Sequence, residues 1–168
     1  MDEVHFLGLR AATHQSYSWA RRLAILRRVR GLLGNVFAVV AGLVVGSLWN
    51  MGIVQLNLRV LHPMPSGLDM NDAEQFDAFM ATLPASAFVV VLVAHLGQAF
   101  FGGWVAARLS RSHPVRMALV IGVLSLVGGV AAMFMIEGPA WLMIELPLYL
   151  VLAWLAGRMV ESKRNEPA

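Results

Sequence analysis

Four long apolar runs constrain the fold of this chain more than any other feature. They cover approximately residues 31–56, 84–107, 117–136 and 139–157. A helix rises about 1.5 Å per residue, so each run is long enough to cross a hydrocarbon layer of roughly 30 Å. Backbone polar groups inside a bilayer must be satisfied within the protein, which favours helices. We therefore predict an all-α protein, a four-helix transmembrane bundle made of two antiparallel hairpins.

The basic residues are sorted to one side of this arrangement. Of the thirteen Lys and Arg residues, twelve precede the first run, separate the second from the third, or follow the fourth. Only Arg59 falls on the opposite side. Loops rich in Lys and Arg stay on the cytoplasmic side of a membrane. We therefore predict an integral protein of the bacterial inner membrane whose N- and C-termini are both cytoplasmic.

The composition agrees with a membrane protein and argues against other classes. The chain is 58% hydrophobic and only 14% charged, whereas charged residues make up about a quarter of a typical soluble domain. The net charge of +3 does not indicate nucleic acid, because the positive charge follows the ends of the apolar runs and no nucleic-acid-binding motif accompanies it. We expect the lipid bilayer as a partner and no nucleic acid.

The N-terminal 30 residues form a basic segment ahead of the first span. Residues 1–15 are mixed and polar, and we predict that they are loose. Residues 16–30 repeat apolar side chains at helical spacing among arginines, which is typical of a basic amphipathic helix lying on anionic headgroups. A helix that binds a partner protein is the alternative interpretation. Residues 158–168 form the predicted cytoplasmic tail.

A second amphipathic segment lies between the first two spans. Residues 71–82 carry an apolar stripe at helical spacing and acidic residues on the other faces. This pattern predicts a short acidic helix outside the membrane, packed by its stripe on the spans. Asn71 followed three residues later by Glu74 is typical of a capping box, so we predict Asn71 as the N-cap.

Small residues recur every four positions along the predicted spans. Such ladders let two helices approach until their backbones touch, which is how helices associate in lipid. The predicted helix-packing seam comprises Gly34, Ala38, Gly42, Gly46, Ala99, Gly103, Ala107, Gly129, Ala153 and Gly157. We infer from these residues that the chain associates with itself as a homo-oligomer or with a membrane partner.

Two ionisable residues, His95 and Glu145, lie deep inside the predicted spans. Each stands thirteen residues before an arginine at the basic boundary, Arg108 or Arg158, and therefore about 20 Å above that boundary. Each also falls on the small-residue line of its helix, so both should face other helices. Ionisable groups in a bilayer are costly and often mark function. We predict a buried polar site whose members are His95, Glu145, Gln98, Asn50 and Tyr149.

A buried histidine–glutamate pair has two interpretations. It can bind a cation, relay a proton or hold a polar group of a solute, which would make the chain a small-solute or ion transporter. It can instead be a hydrogen bond that only fixes helix packing, worth about 0.6–2 kcal/mol. The sequence leaves both interpretations open.

A membrane-embedded enzyme is the third interpretation and has the least support. Ser86 and Ser125 lie in predicted spans without the G-x-S-x-G context of a hydrolase nucleophile. No tight spacing of His, Asp or Glu indicates a metal site, and there is no cysteine. We predict no catalytic residue, no metal and no cofactor. The leading hypothesis is a small polytopic membrane subunit that associates with itself or a partner and whose biochemical activity is undetermined.

Overall fold

The structure, a computed structural model, describes residues 3–135 and 138–166, and the side chains of residues 25–135 and 138–166. These residues form helices and no strand, which confirms the all-α prediction. Four helices are long and apolar enough to cross a membrane. The chain is therefore a polytopic integral membrane protein.

Five α-helices follow one another along the described residues. They are α1 Glu3–Leu56, α2 Ala73–Thr82, α3 Ala85–Leu109, α4 Pro114–Met135 and α5 Glu145–Asn165. A π-helical turn, Asn57–Leu61, continues α1, and a 3₁₀ turn, Ala140–Ile144, precedes α5. The candidate spans are α1 from Ile25 onward with its π turn, then α3, α4, and α5 with its 3₁₀ turn.

The beginning of α1 differs from the prediction for residues 1–15. The backbone is helical from Glu3, so the prediction of a loose segment is wrong. The first proline of the chain is Pro63, and no residue before it interrupts the backbone hydrogen bonds that a helix requires. The chain divides into two units, the first ending at Gly34 and the second beginning at Asn35. The side chains of residues 3–24, which include most of the predicted amphipathic face, lie outside the described ones.

The short outer helix is present as α2, but its cap is Asp72 and not Asn71. The carboxylate of Asp72 accepts hydrogen bonds from the backbone N–H groups of Glu74 and Gln75 at 3.1 and 3.2 Å. Two adjacent residues of this sequence can cap a helix, and an ionised carboxylate also interacts favourably with the positive end of the helix dipole. The helix consequently begins one residue later than predicted. On its other side, Phe79 is buried.

The interior of the second unit consists mainly of alanine and glycine. The fully buried alanines are Ala38, Ala87, Ala94, Ala99, Ala106, Ala107, Ala118, Ala153 and Ala156. Large apolar side chains such as Phe37, Leu48 and Phe134 are instead more than 60% exposed. A soluble protein would hide such side chains from water. In a bilayer they face lipid acyl chains, which are equally apolar, and the small residues allow close helix packing.

Helices α1 and α3 approach closely enough for their backbones to touch. A Cβ atom added to Gly42 would lie 2.5 Å from the carbonyl oxygen of Gly102, and one added to Gly46 would lie 2.8 Å from that of Gln98. Because a carbonyl oxygen cannot move without displacing its helix, no larger residue fits at either glycine. This part of the predicted seam therefore packs against another helix of the same chain.

The remaining seam residues also face neighbouring helices. A Cβ atom added to Gly157 in α5 would lie 2.8 Å from the Cα atom of Val115 in α4, and one added to Gly103 would lie 3.4 Å from the Cα atom of Ala153. The buried seam residues are Ala38, Gly42, Gly46, Ala99, Gly103, Ala107, Gly129, Ala153 and Gly157, whereas Gly34 is half-buried. The small stripes thus build the bundle itself.

One end of the second unit is positively charged, and we call it the basic end. Its basic residues are Arg108, Arg111, Arg116, Arg158, Lys163 and Arg164. The guanidinium of Arg164 donates hydrogen bonds to the carbonyl oxygens of Ala107, Arg108 and Ser110 at 2.8 to 3.2 Å. These carbonyls end α3 without helical partners, so the arginine joins the last turn of α5 to the last turn of α3. Helix α2 lies at the opposite end.

Candidate functional site

Helices α3 and α5 bring two ionisable side chains into contact inside the bundle. Nδ1 of His95 lies 3.0 Å from Oε2 of Glu145. The side chains are 24% and 5% exposed, respectively. An ionised carboxylate only accepts hydrogen bonds, so Nδ1 of His95 is the donor when Glu145 is ionised.

A second polar contact joins α1 to α3 beside this pair. Nδ2 of Asn50 donates to Oε1 of Gln98 at 2.6 Å. Gln98 lies three residues after His95, so the two side chains occupy neighbouring positions on the same face of α3. Asn50 occupies its place because Gly46, one turn earlier, lets α1 lie directly against the backbone of Gln98. The close packing of α1 thus determines the position of the amide.

These polar groups line a cavity of about 260 Å³ inside the bundle. Each of α1, α3, α4 and α5 contributes to the wall. The lining residues are Asn50, His95, Gln98, Ser125, Gly128, Gly129, Ala132 and Tyr149. Liquid water occupies about 30 Å³ per molecule, so the volume equals that of roughly nine waters and is sufficient for a small solute. His95 lies on the wall and Glu145 does not, which places the imidazole between the carboxylate and the cavity.

Ser125 of α4 supplies an unpaired hydroxyl to the cavity wall. It is 5% exposed, and its Oγ has no hydrogen-bond partner within the part of the chain that the structure describes. Leaving a buried polar group without a partner costs about 1–3 kcal/mol. A cavity of this size with polar groups on its wall can hold water or a polar solute, either of which can satisfy that hydroxyl.

Tyr149 approaches α4 because residue 129 is a glycine. A Cβ atom added to Gly129 would lie 2.9 Å from the phenolic oxygen of Tyr149. The tyrosine ring is 2% exposed and forms the wall on the α5 side. It lies one turn after Glu145, on the same face of α5. The ring therefore lies on the side of α5 that also carries the buried carboxylate.

The structure brings together all five residues of the predicted polar site. One cavity is lined by four of them, Asn50, His95, Gln98 and Tyr149. The fifth, Glu145, does not line the cavity but contacts His95. The sequence reasoning missed the contribution of α4, which is Ser125 with the small residues near it. The available signal was spacing, because Ser125 lies three residues after Gly122 and four before Gly129 and so shares their face of the helix.

The described side chains, those of residues 25–135 and 138–166, form no metal-binding cluster. No group of three or more His, Asp or Glu side chains there could hold a metal ion. A comparison with models of known protein families found no match, and neither curated proteins nor solved structures gave one.

Proposed function

We propose that this chain is a small-solute transporter of the bacterial inner membrane, in which the cavity holds the solute and His95 with Glu145 exchanges a proton. The observation that carries the proposal is the 3.0 Å contact between His95 and Glu145 beside a cavity of about 260 Å³ whose wall carries several polar groups. A pair that only joined two helices would need no such chamber. The sorting of basic residues supports an orientation with both termini in the cytoplasm.

The charge of the pair links the proton to the contents of the cavity. With His95 protonated and Glu145 ionised, the pair is neutral overall. A cationic solute in the cavity repels the imidazolium, because charges interact more strongly away from bulk water. Entry of the cation therefore favours release of the proton from His95. The solute class that fits this arrangement is a small organic cation that exchanges for a proton.

The hydroxyl and amide groups on the wall give such a solute further partners. Ser125 offers an unpaired oxygen, and Oδ1 of Asn50 can accept a hydrogen bond because its Nδ2 already donates to Gln98. Oxygen acceptors are suitable contacts for a cation. Few, well-placed polar groups in an otherwise apolar wall are typical of small-molecule sites.

The membrane subunit that associates with itself or a partner stays a prediction. Its support came from the small-residue seam, yet nine of those ten residues are buried against helices of the same chain. Association would then need another surface. A purely structural role for the His95–Glu145 hydrogen bond is the second alternative. Measurements of proton movement and of folding in the same variants separate that role from transport.

The test uses the purified full chain in liposomes that contain the pH-sensitive dye pyranine. Choline or tetramethylammonium is added outside, because neither can cross the bilayer as a neutral amine, and glycerol serves as the uncharged control. We expect the internal pH to rise with the cations only. His95→Ala and Glu145→Gln should each lower the initial rate at least tenfold while the variants keep their melting temperature within a few degrees.

Matched variants outside the cavity serve as controls. His113→Ala changes an exposed histidine of the α3–α4 link, and Glu161→Gln changes a glutamate near the basic end of α5. Both should exchange protons at the wild-type rate. Wild-type proton movement in His95→Ala would overturn the proposal. Loss of folding together with activity in both site variants would favour the purely structural role.

A further inference from the structure

Three polar side chains form a continuous line of hydrogen bonds at the end of the bundle where α2 lies. Nδ1 of His62 lies 2.8 Å from Oδ1 of Asn57, and Nε2 of His62 lies 3.1 Å from Oγ of Ser86. Nδ2 of Asn57 donates to the carbonyl oxygen of Ala87 at 3.0 Å. Asn57 is 1% exposed, whereas Ser86 is exposed. The line therefore runs from a buried amide to an accessible hydroxyl.

The π turn at the end of α1 brings Asn57 and His62 to the same face. The backbone N–H of His62 donates to the carbonyl oxygen of Asn57 at 2.7 Å, which is the spacing of a π-helix. In an α-helix, residues five apart point in directions that differ by about 140°. The wider turn removes this difference, so the same two residues are joined by backbone and by side chain. Turns of this kind recur at functional sites.

The carbonyl of Ala87 determines the direction of the first two hydrogen bonds in the line. A carbonyl oxygen only accepts, so Asn57 must turn its amide nitrogen toward Ala87 and its Oδ1 toward His62. Because Oδ1 also only accepts, Nδ1 of His62 must carry the proton. In the neutral imidazole Nε2 is then the unprotonated nitrogen, so it accepts the hydrogen bond that the Ser86 hydroxyl donates.

We propose that Ser86 is a nucleophile, activated by His62 as general base, that cleaves carboxylic esters presented at the membrane surface. A hydroxyl that donates to an imidazole whose other nitrogen is held by a third group is the arrangement that activates serine. Ser86 is also the second residue of α3. The first N–H groups of a helix have no helical partner, so those of Ala85 and Ser86 are available to a developing oxyanion.

The reaction consumes one water and conserves every proton. Oγ of Ser86 attacks the ester carbonyl as Nε2 of His62 takes the hydroxyl proton, and the negative charge moves to the carbonyl oxygen. Collapse breaks the bond to the leaving oxygen, which receives that proton and departs as the alcohol. Water then attacks the acyl-serine with its proton passing to His62, and the proton returns to Oγ as the carboxylic acid leaves.

The test measures hydrolysis of p-nitrophenyl butyrate by the purified full chain in detergent. We expect wild-type protein to release p-nitrophenolate and Ser86→Ala to release none above buffer. His62→Gln should lower the rate about 100-fold, which is the lower end of what a general base contributes. Ser66→Ala and His113→Gln change an exposed serine and an exposed histidine outside the line, and both should keep the wild-type rate.

A labelling measurement on wild-type protein keeps the proposal testable if a variant fails to fold. A fluorophosphonate probe forms a stable bond to an activated serine, and mass spectrometry locates it. We expect label on Ser86 at least about 100-fold faster than on Ser66, because only Ser86 has a base. Equal labelling of the two serines would overturn the proposal, as would hydrolysis by Ser86→Ala at the wild-type rate.

Discussion

The two halves of the bundle use the same four helices but pack them in opposite ways. Toward the basic end, glycines such as Gly42 and Gly157 hold neighbouring backbones so close that no Cβ atom fits. Toward the α2 end, the helices leave a cavity between them, and its wall carries the unpaired hydroxyl of Ser125. Close packing is the main force that associates helices in lipid. The close backbone contacts of Gly42 and Gly157 therefore stabilise the fold, whereas the cavity beside Ser125 leaves atoms of the other half without packing partners.

Gly42→Ile tests the close helix packing of the basic half most directly. We expect the free energy of unfolding in detergent to fall by more than about 3 kcal/mol, because overpacking against backbone is at the upper end of its usual cost. The Cβ atom would lie 2.5 Å from the carbonyl oxygen of Gly102, which moves only if the helix moves. Denaturant titration followed by tryptophan fluorescence measures the change.

Gly52→Ile is the matched control because it lies in the same helix and a Cβ atom there meets nothing within 4 Å. We expect it to change stability by no more than about 1 kcal/mol. Size-exclusion chromatography of the same two variants tests association. If Gly42→Ile stays folded and only changes the oligomer size, the seam packs between copies of the chain and our description of this half is incorrect.

The sequence predicted the packed half and the ionisable pair for the same physical reason. Small residues every four positions predict close approach, and His95 and Glu145 share both that line and the same distance from an arginine at the boundary. Equal depth on facing seams allows the two side chains to meet. The 3.0 Å separation is compatible with that periodicity and helix rise but needed the structure to be known.

The cavity and the hydrogen bonds that join Asn57, His62 and Ser86 could not be predicted from residue spacing. Cavity volume depends on how Gly129 and Tyr149 share the space between α4 and α5, which no spacing rule describes. The π turn that joins Asn57 to His62 departs from the period of 3.6 residues on which the sequence argument rested. The N-cap of α2 was wrong by one residue because two adjacent side chains were both able to cap.

Two glycine variants on α4 compare how tightly the two halves are packed. Gly122→Ala places a Cβ atom 2.7 Å from that of Ala153 and 3.2 Å from a backbone oxygen of α5. We expect it to lower the free energy of unfolding by about 1–3 kcal/mol. Gly129→Ala meets only the ring of Tyr149, which can turn into the cavity, so we expect a loss below about 1 kcal/mol.

Thermal and denaturant unfolding of both variants in the same detergent measures this difference. The two substitutions are chemically identical and lie seven residues apart on one face of one helix. Any difference in stability therefore reports the surroundings and not helix propensity. A loss in Gly129→Ala that equals the loss in Gly122→Ala would mean that the space beside Tyr149 cannot accept its ring.

The smallest expected effect is the most informative about the cavity. Ser125→Ala removes a buried hydroxyl that has no protein partner within the described residues, so we expect stability to rise by up to about 1 kcal/mol. Ala118→Ser introduces a hydroxyl two turns away, at a site that is 0% exposed, and should lower stability by about 1–2 kcal/mol. Denaturant titration of the two variants compares them directly.

The sign of the Ser125→Ala effect distinguishes a binding chamber from imperfect packing. A residue kept only for stability should lose stability when it is changed. A residue that contacts a solute should gain stability while choline-driven proton movement in liposomes slows, because the hydroxyl is useful only when the cavity is occupied. A variant that is less stable and transports normally would contradict this assignment and return Ser125 to a structural role.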